Sequence, residues 1–223
     1  MAVVVTMSAA YGAGGSIVGP QVADRLRVPF VDRAIPAAVA RECGVPLADA
    51  LAHDERAEHG LGRLLSAAAR LPNVTLGGLE SWLPDPDVVP EEEFVRRTEQ
   101  IVQMTARTTG GVILGRAAAF VLADHPGALH VRLTGREQRR IRQAMRVENV
   151  DEPTARQLVR ENDRARAAYV RHFYRADPDE PGRYHLVLDS TVLPLDTVVD
   201  LVVTAAQALA GASERPGGPA GGG

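Results

Sequence analysis

The chain has no lysine: all 25 of its basic residues are arginine. Any positive charge it brings to an anion must therefore come from guanidinium groups or from backbone dipoles. A bias toward Ala, Arg, Gly and Pro accounts for the missing lysine but not for where the arginines sit. The chain has one cysteine, Cys43, which excludes an internal disulfide and fits a reducing cytoplasm. Cys43 stands just before Gly44 near an expected helix end, where it reads as packing. Long apolar runs are missing too, so no membrane span of about 18 residues is expected. The N-terminal apolar stretch has no basic flank, since the first arginine is Arg25, and this argues against a signal peptide. The six histidines (His53, His59, His125, His130, His172 and His185) show no metal-ligand spacing and read as structural or surface groups. The net charge of −3 argues against broad nucleic-acid binding.

The charge is unevenly spread. Thirteen arginines lie between Arg132 and Arg183 against nine acidic residues, so this segment carries +4 and the remainder −7. With 223 residues, 45% of them hydrophobic, the chain can build one α/β domain with inserted parts. No internal repeat is evident.

The opening, "MAVVVTMSAAYGAGGSIVG", runs from an apolar β-branched stretch into glycines and then a helical pattern. Val3 to Met7 predicts a buried strand and Ser8 to Gly15 a glycine loop. Ser16 to Leu26 has apolar residues at helical spacing, with Pro20 in the first turns. Val28 to Val31 predicts a second strand, ending at Asp32. From Arg33 to Arg107 the chain reads as mainly helical, broken by a Pro- and Gly-rich loop from Leu71 to Pro90. Further strands are expected at Gly111 to Leu114, Ala128 to Leu133 and Tyr184 to Leu188. Helices are expected at Glu137 to Val147, Glu152 to Tyr174 and Leu195 to Ala210. The tail, residues 211–223, reads as disordered.

Strands alternating with helices predict a three-layer α/β sandwich around about five parallel strands. Ligands of such sheets bind at the carboxyl ends of the strands. Those ends carry Gly12 to Ser16, Asp32, Arg116 and Asp189, so four separate segments converge on one edge. Asp189 also fits a turn cap acting through Ser190.

"MSAAYGAGGSIVGPQVADRLRVPFVDR" resembles the opening of the cytidylate-kinase-like proteins, a branch of the P-loop nucleoside monophosphate kinases. That opening typically runs S-R-x-Y-G-S-G-G-R-x-I-G and ends near P-F-Y-D. "GGVILGRAAAFVLADHPGALHVRL" resembles the family's middle. "ARQLVRENDRARAAYVRHFY" resembles its lid, and "YHLVLDSTVLPLDTVVDLV" its end. The likeness runs over roughly residues 3 to 205.

The resemblance implies a single nucleotide-kinase-like domain over residues 1–210. Within it, 33–107 would be a helical acceptor-binding insertion and 135–183 an arginine-rich lid. It implies ATP and a nucleoside monophosphate such as CMP as substrates, Mg²⁺ as cofactor, and no nucleic-acid or membrane partner. Gly12, Ala13, Gly14, Gly15, Ser16 and Ile17 would hold nucleotide phosphates, with Ser16 also toward the metal. Asp32, Arg41 and Arg116 would bind the acceptor.

One departure from the family is decisive for the chemistry. The lysine that normally reaches the β- and γ-phosphates is replaced by Gly15, and the basic residue that often follows is replaced by Ser16. A glycine loop and a helix N-terminus still form an anion nest. Charge compensation in the transition state then falls to the lid, with Arg166, Arg139, Arg142 and Asp163 as the candidate catalytic residues. Two other readings remain open. One is a nucleotide sensor that has lost transfer. The other is an interaction scaffold built on Trp82 in the 71–90 loop.

Overall fold

The computed structural model describes residues 2–32 and 91–213. Arg41, Cys43, His53, His59, the 71–90 loop with Trp82, the rest of 33–90 and the tail from 214 onward lie outside the described residues.

The chain order is β1 (Val4–Ala9), α1 (Gly15–Leu26), β2 (Phe30–Asp32), α2 (Glu91–Arg107), β3 (Gly111–Leu114), α3 (Ala118–Val121), β4 (Ala128–Thr134), α4 (Glu137–Glu148), α5 (Glu152–Tyr174), β5 (Leu186–Asp189) and α6 (Leu195–Ser213). The five strands form one parallel sheet in the order β2-β3-β1-β4-β5. The glycine-loop strand β1 is thus central, with β3 on one side and β4 on the other.

Both sheet faces are covered, as a parallel sheet requires. On one face Val18 and Val22 of α1 and Val198 and Val202 of α6 pack on Val5, Met7, Val131 and Leu133. On the other, Val102 and Ala106 of α2 and Ala118 and Leu122 pack on Val4, Ile113 and Ala128. Each of these fully buried valines contributes about 1.5–3 kcal/mol relative to exposure. Helix α2, the described end of the 33–107 segment, is therefore part of a core layer.

Helix α6 corrects one sequence expectation. Residues Leu195–Ala212 do reach spanning length, with a mean hydropathy of 1.4. Its Val198, Val199, Val202, Val203 and Ala206 are buried, while Asp196 and Asp200 are exposed. That amphipathic split is what a helix docked on a sheet shows.

Helices α4 and α5 form the arginine-rich hairpin. Asp151 starts α5 by accepting the Thr154 backbone N–H at 3.0 Å, with Pro153 in the first turn. The hairpin has its own small core of Ile141, Ala144, Ala155 and Val159, into which Tyr11 of the glycine loop is packed. The second half of α5 joins α2 and α3 through Val95, Ala165, Tyr169 and Phe120. The hairpin therefore rests on the loop at one end and on the sheet-covering helices at the other.

Element bounds moved slightly where hydrogen bonding, not residue type, ends a strand. β1 runs on to Ala9 because Ser8 and Ala9 pair with Arg132 and Leu133. β5 begins two residues later than expected, at Leu186.

Candidate active site

The glycine loop links β1 to α1. Gly12 and Gly14 have φ of +75° and +76°, which residues with a Cβ rarely adopt. Gly14 is the N-cap of α1 and accepts from Ile17 N–H at 3.0 Å and Val18 N–H at 2.9 Å. Among the described residues, the amides of Gly14, Gly15 and Ser16 have no backbone acceptor. Three donors are thus gathered at the positive end of a helix dipole. Ile17 is different, since its amide is already spent on Gly14. The buried Ser190 holds the loop from behind by donating its hydroxyl to the Ala13 carbonyl at 2.7 Å.

This loop forms one wall of a cavity of about 400 Å³. Gly12, Gly14, Gly15 and Ser16 line it, together with Arg116 from the end of β3 and Asp163 and Arg166 from α5. The backbone at Arg116 is unusual. Gly115, Arg116 and Ala117 all lie in the left-handed region, at φ of +75°, +54° and +49°. Two non-glycine residues there cost about 1–2 kcal/mol each. Such strain is concentrated at functional sites.

Asp163 ties the hairpin to the loop. It accepts the Tyr11 backbone N–H at 3.3 Å and pairs with Arg140 at 2.8 Å. Arg140 in turn donates to the Tyr11 carbonyl at 2.8 Å and the Gly135 carbonyl at 2.9 Å. Arg166 reaches Asp179 at 3.4 Å and Asp163 at 3.9 Å. Its Nε and Nη1 are enclosed and have no partner among the described residues. Burial lowers the Arg166 pKa to about 10, and the nearby Arg132 adds to the effect; Asp163 and Asp179 oppose it. Arg166 stays cationic at neutral pH.

A smaller cavity of about 200 Å³ adjoins it, lined by Arg132, Arg140, Asp163, Arg166 and Asp179. The buried Arg132 donates to Ser8 Oγ at 3.2 Å and is ion-paired with Asp179.

The other sequence candidates lie elsewhere. Arg139 pairs with Asp189 at 3.5 Å, and Arg142 is exposed; neither lines the main cavity. The inner face of α4 is made by Arg140, Ile141, Gln143 and Ala144 instead. Asp32 ends β2 opposite Leu114, one residue before the Gly115-Arg116 turn. Asp189 accepts from the Thr191 backbone N–H at 3.0 Å and from its hydroxyl, so the cap acts through Thr191, while Ser190 serves the glycine loop.

Arg132, Arg140 and Gln143 were not singled out in the sequence. A signal existed for two of them. In α4 the apolar pair Ile141 and Ala144 sets the inward direction, and Arg140 falls on that arc while Arg139 and Arg142 do not. In β4 an arginine inside a strand buried on both faces must be paired.

The model of the cytidylate kinase-like family matches residues 4–192. The chain belongs to the cytidylate kinase-like family. This cytidylate kinase-like protein also resembles solved structures. An uncharacterized protein from Eubacterium ventriosum superposes with a TM-score of 0.62 at 16% identity, covering 92% of this chain and 98% of that one. A gluconokinase from Sinorhizobium meliloti gives a TM-score of 0.51 at 15% identity, covering 94% of each. At such identities the likeness establishes the fold, that of P-loop kinases. Among curated proteins, a uronate isomerase from Corynebacterium glutamicum is 28% identical over 138 residues, 60% of this chain and 26% of that protein. The chain thus spans about a quarter of that relative's length. Family and fold support a kinase-like phosphotransferase.

Proposed function

We propose that the protein transfers the γ-phosphoryl group of ATP to CMP or a similar nucleoside monophosphate, in the cytoplasm. The observation that carries this reading is the convergence of the glycine-loop amides, Arg116, Asp163 and Arg166 on one cavity. An acceptor phosphate oxygen attacks the γ-phosphorus, the bond from that phosphorus to the β,γ-bridging oxygen breaks, and ADP leaves. Such transfer needs positioning and charge neutralisation more than covalent chemistry. The amides of Gly14, Gly15 and Ser16 would hold the donor phosphates. Arg116, with Asp32 and Arg41, would hold the acceptor. Arg166 would neutralise charge on the moving group.

Mg²⁺ fits the residues present in a limited way. Ser16 offers an exposed hydroxyl in the first turn of α1. The lining carboxylates are Asp163, already paired with Arg140, and Glu148. Among the described residues no three His, Cys, Asp or Glu side chains form a metal set. That suits a Mg²⁺ carried mainly by phosphate oxygens and water, with few protein ligands. When bound, it would neutralise phosphate charge.

A second reading is a nucleotide sensor that binds without transfer. One observation favours it: Gly15 cannot regain the loop cation, because a Cβ there would stand 2.6 Å from the Ala9 Cβ. A coupled assay for ADP release across the nucleoside monophosphates, with and without Mg²⁺, separates the two. Turnover with one acceptor supports the kinase; nucleotide binding without turnover supports the sensor.

A further inference from the structure

We propose that Gln143 supplies the missing side-chain donor of the phosphate loop: its amide Nε2 hydrogen-bonds a phosphate of the bound nucleotide above Gly14. This deepens, and rests on, the reading of the cavity as a nucleotide phosphate site.

Three observations carry it. Gln143 lies on the inner face of α4 and is only 7% exposed, yet its Nε2 has no hydrogen-bond partner among the described residues. Buried polar groups are nearly always satisfied, so an enclosed donor without an acceptor needs a reason. Second, Gln143 borders the same cavity as Gly14, Gly15 and Ser16. Third, it stands against Gly14: a Cβ built on that glycine would lie 3.2 Å from Gln143 Nε2, beside Leu195 Cδ2 at 3.0 Å. The amide therefore looks onto the point where the loop turns into α1, beside the backbone N–H groups of Gly14, Gly15 and Ser16.

The unpartnered Nε2 fits a ligand rich in acceptors, such as an anion. An amide nitrogen donates two hydrogens and accepts none, and the three amides beside it are donors too. Donors gathered along one cavity wall match phosphate oxygens. The position also explains how the chain does without the lysine at Gly15. The cation's place is closed from below by Ala9 and Leu114. A side-chain donor must then come from another element, and Gln143 of α4 borders the cavity. A neutral amide is a better tenant of this enclosed place than an ammonium group, because it carries no charge to desolvate. It replaces the hydrogen bond of the lysine and leaves the charge to Arg166.

The test is calorimetric titration of the full-length protein with inorganic tripolyphosphate, ATP and adenosine. Wild type is compared with Gln143→Leu, which removes the donor, and Gln143→Glu, which keeps the shape but presents a carboxylate. Circular dichroism and thermal melting establish that each variant is folded. Gln143→Leu should raise the Kd for tripolyphosphate and ATP roughly tenfold. Gln143→Glu should raise it by roughly a hundredfold, since like charges then face each other. Adenosine binding should not change in either. Wild-type polyphosphate affinity in either folded variant overturns the proposal. Failure of the wild type itself to bind tripolyphosphate and ATP would instead remove the phosphate-site reading beneath it. Should Gln143→Leu not fold, the isosteric Gln143→Glu decides alone.

Discussion

Asp163 accepts the backbone N–H of Tyr11 at 3.3 Å, across 152 positions of sequence. The α4–α5 hairpin and the glycine loop are thus joined through the main chain of Tyr11, and not only through side-chain packing. Asp163→Ala should lower the unfolding free energy by about 2–3 kcal/mol, because it leaves the mostly buried Arg140 without its carboxylate. Urea denaturation measures this. A change within 0.5 kcal/mol, on the order of an ordinary surface substitution, would show that the contact is not stabilising.

Arg166→Ala should lower kcat by roughly 10²-fold, the size expected for one charge-stabilising donor. ATP affinity should change much less, since on this reading the loop amides would hold the ground state. Arg139→Ala and Arg142→Ala should have smaller effects, because neither side chain borders the cavity. Steady-state kinetics of the three variants would rank them, and equal losses would contradict this assignment.

Arg116 sits at the end of β3 beside the loop. Arg116→Ala should raise the acceptor KM more than the ATP KM. Arg116→Lys should rescue it only in part, since an ammonium lacks the fork that grips phosphate. Equal shifts in both KM values would remove Arg116 from the acceptor site.

Gly15 is fixed by space and not by backbone dihedral. Gly15→Ala should cost about 1–3 kcal/mol, the usual penalty for overpacking, because the new Cβ meets Ala9 Cβ at 2.6 Å. Gly15→Lys should therefore destabilise the fold and not restore a working loop cation. Thermal melting of both variants checks it; an undiminished Tm would show that the loop yields.

His130 gives a pH signature. It is buried, stacked on His185 at 5.0 Å between ring centres, and hydrogen-bonded through Nδ1 to the Thr6 hydroxyl at 2.8 Å. Burial lowers its pKa from 6.5 to about 4, and the neighbouring His185 adds to this. The unfolded chain then binds the extra proton between those values. Stability should be full above pH 6.5 and decline as pH falls toward 4, by up to about 3 kcal/mol from this group. Urea titrations at pH 7.5, 5.5 and 4.5 should show the decline in wild type and a shallower one in His130→Asn.

Much of this fold could be read from local sequence. The strand–glycine–helix opening, the spacing of α5 and the β-branched runs of β1 and β3 carry their own periodicity, and Glu152–Tyr174 falls where expected. The lining of the cavity was legible where a strand end dictates position, as at Gly14 and Arg116. It was not legible where a helix had to be rotated against a neighbour. Arg139, Arg140 and Arg142 are alike in type, and only the packing of Ile141 and Ala144 selects Arg140. Gln143 carried no motif at all, because its meaning comes from a glycine 129 positions earlier.

Tyr11 is gripped at both of its backbone groups, the N–H by Asp163 and the carbonyl by Arg140, and the two gripping side chains are themselves ion-paired. Lifting the hairpin breaks both contacts to Tyr11, while the Arg140–Asp163 pair, which lies within the hairpin, travels with it. The hairpin and the glycine loop are thus fastened at one residue, by two side chains that also hold each other. Loosening Tyr11 would free the hairpin from the glycine loop while leaving the hairpin's own ion pair intact.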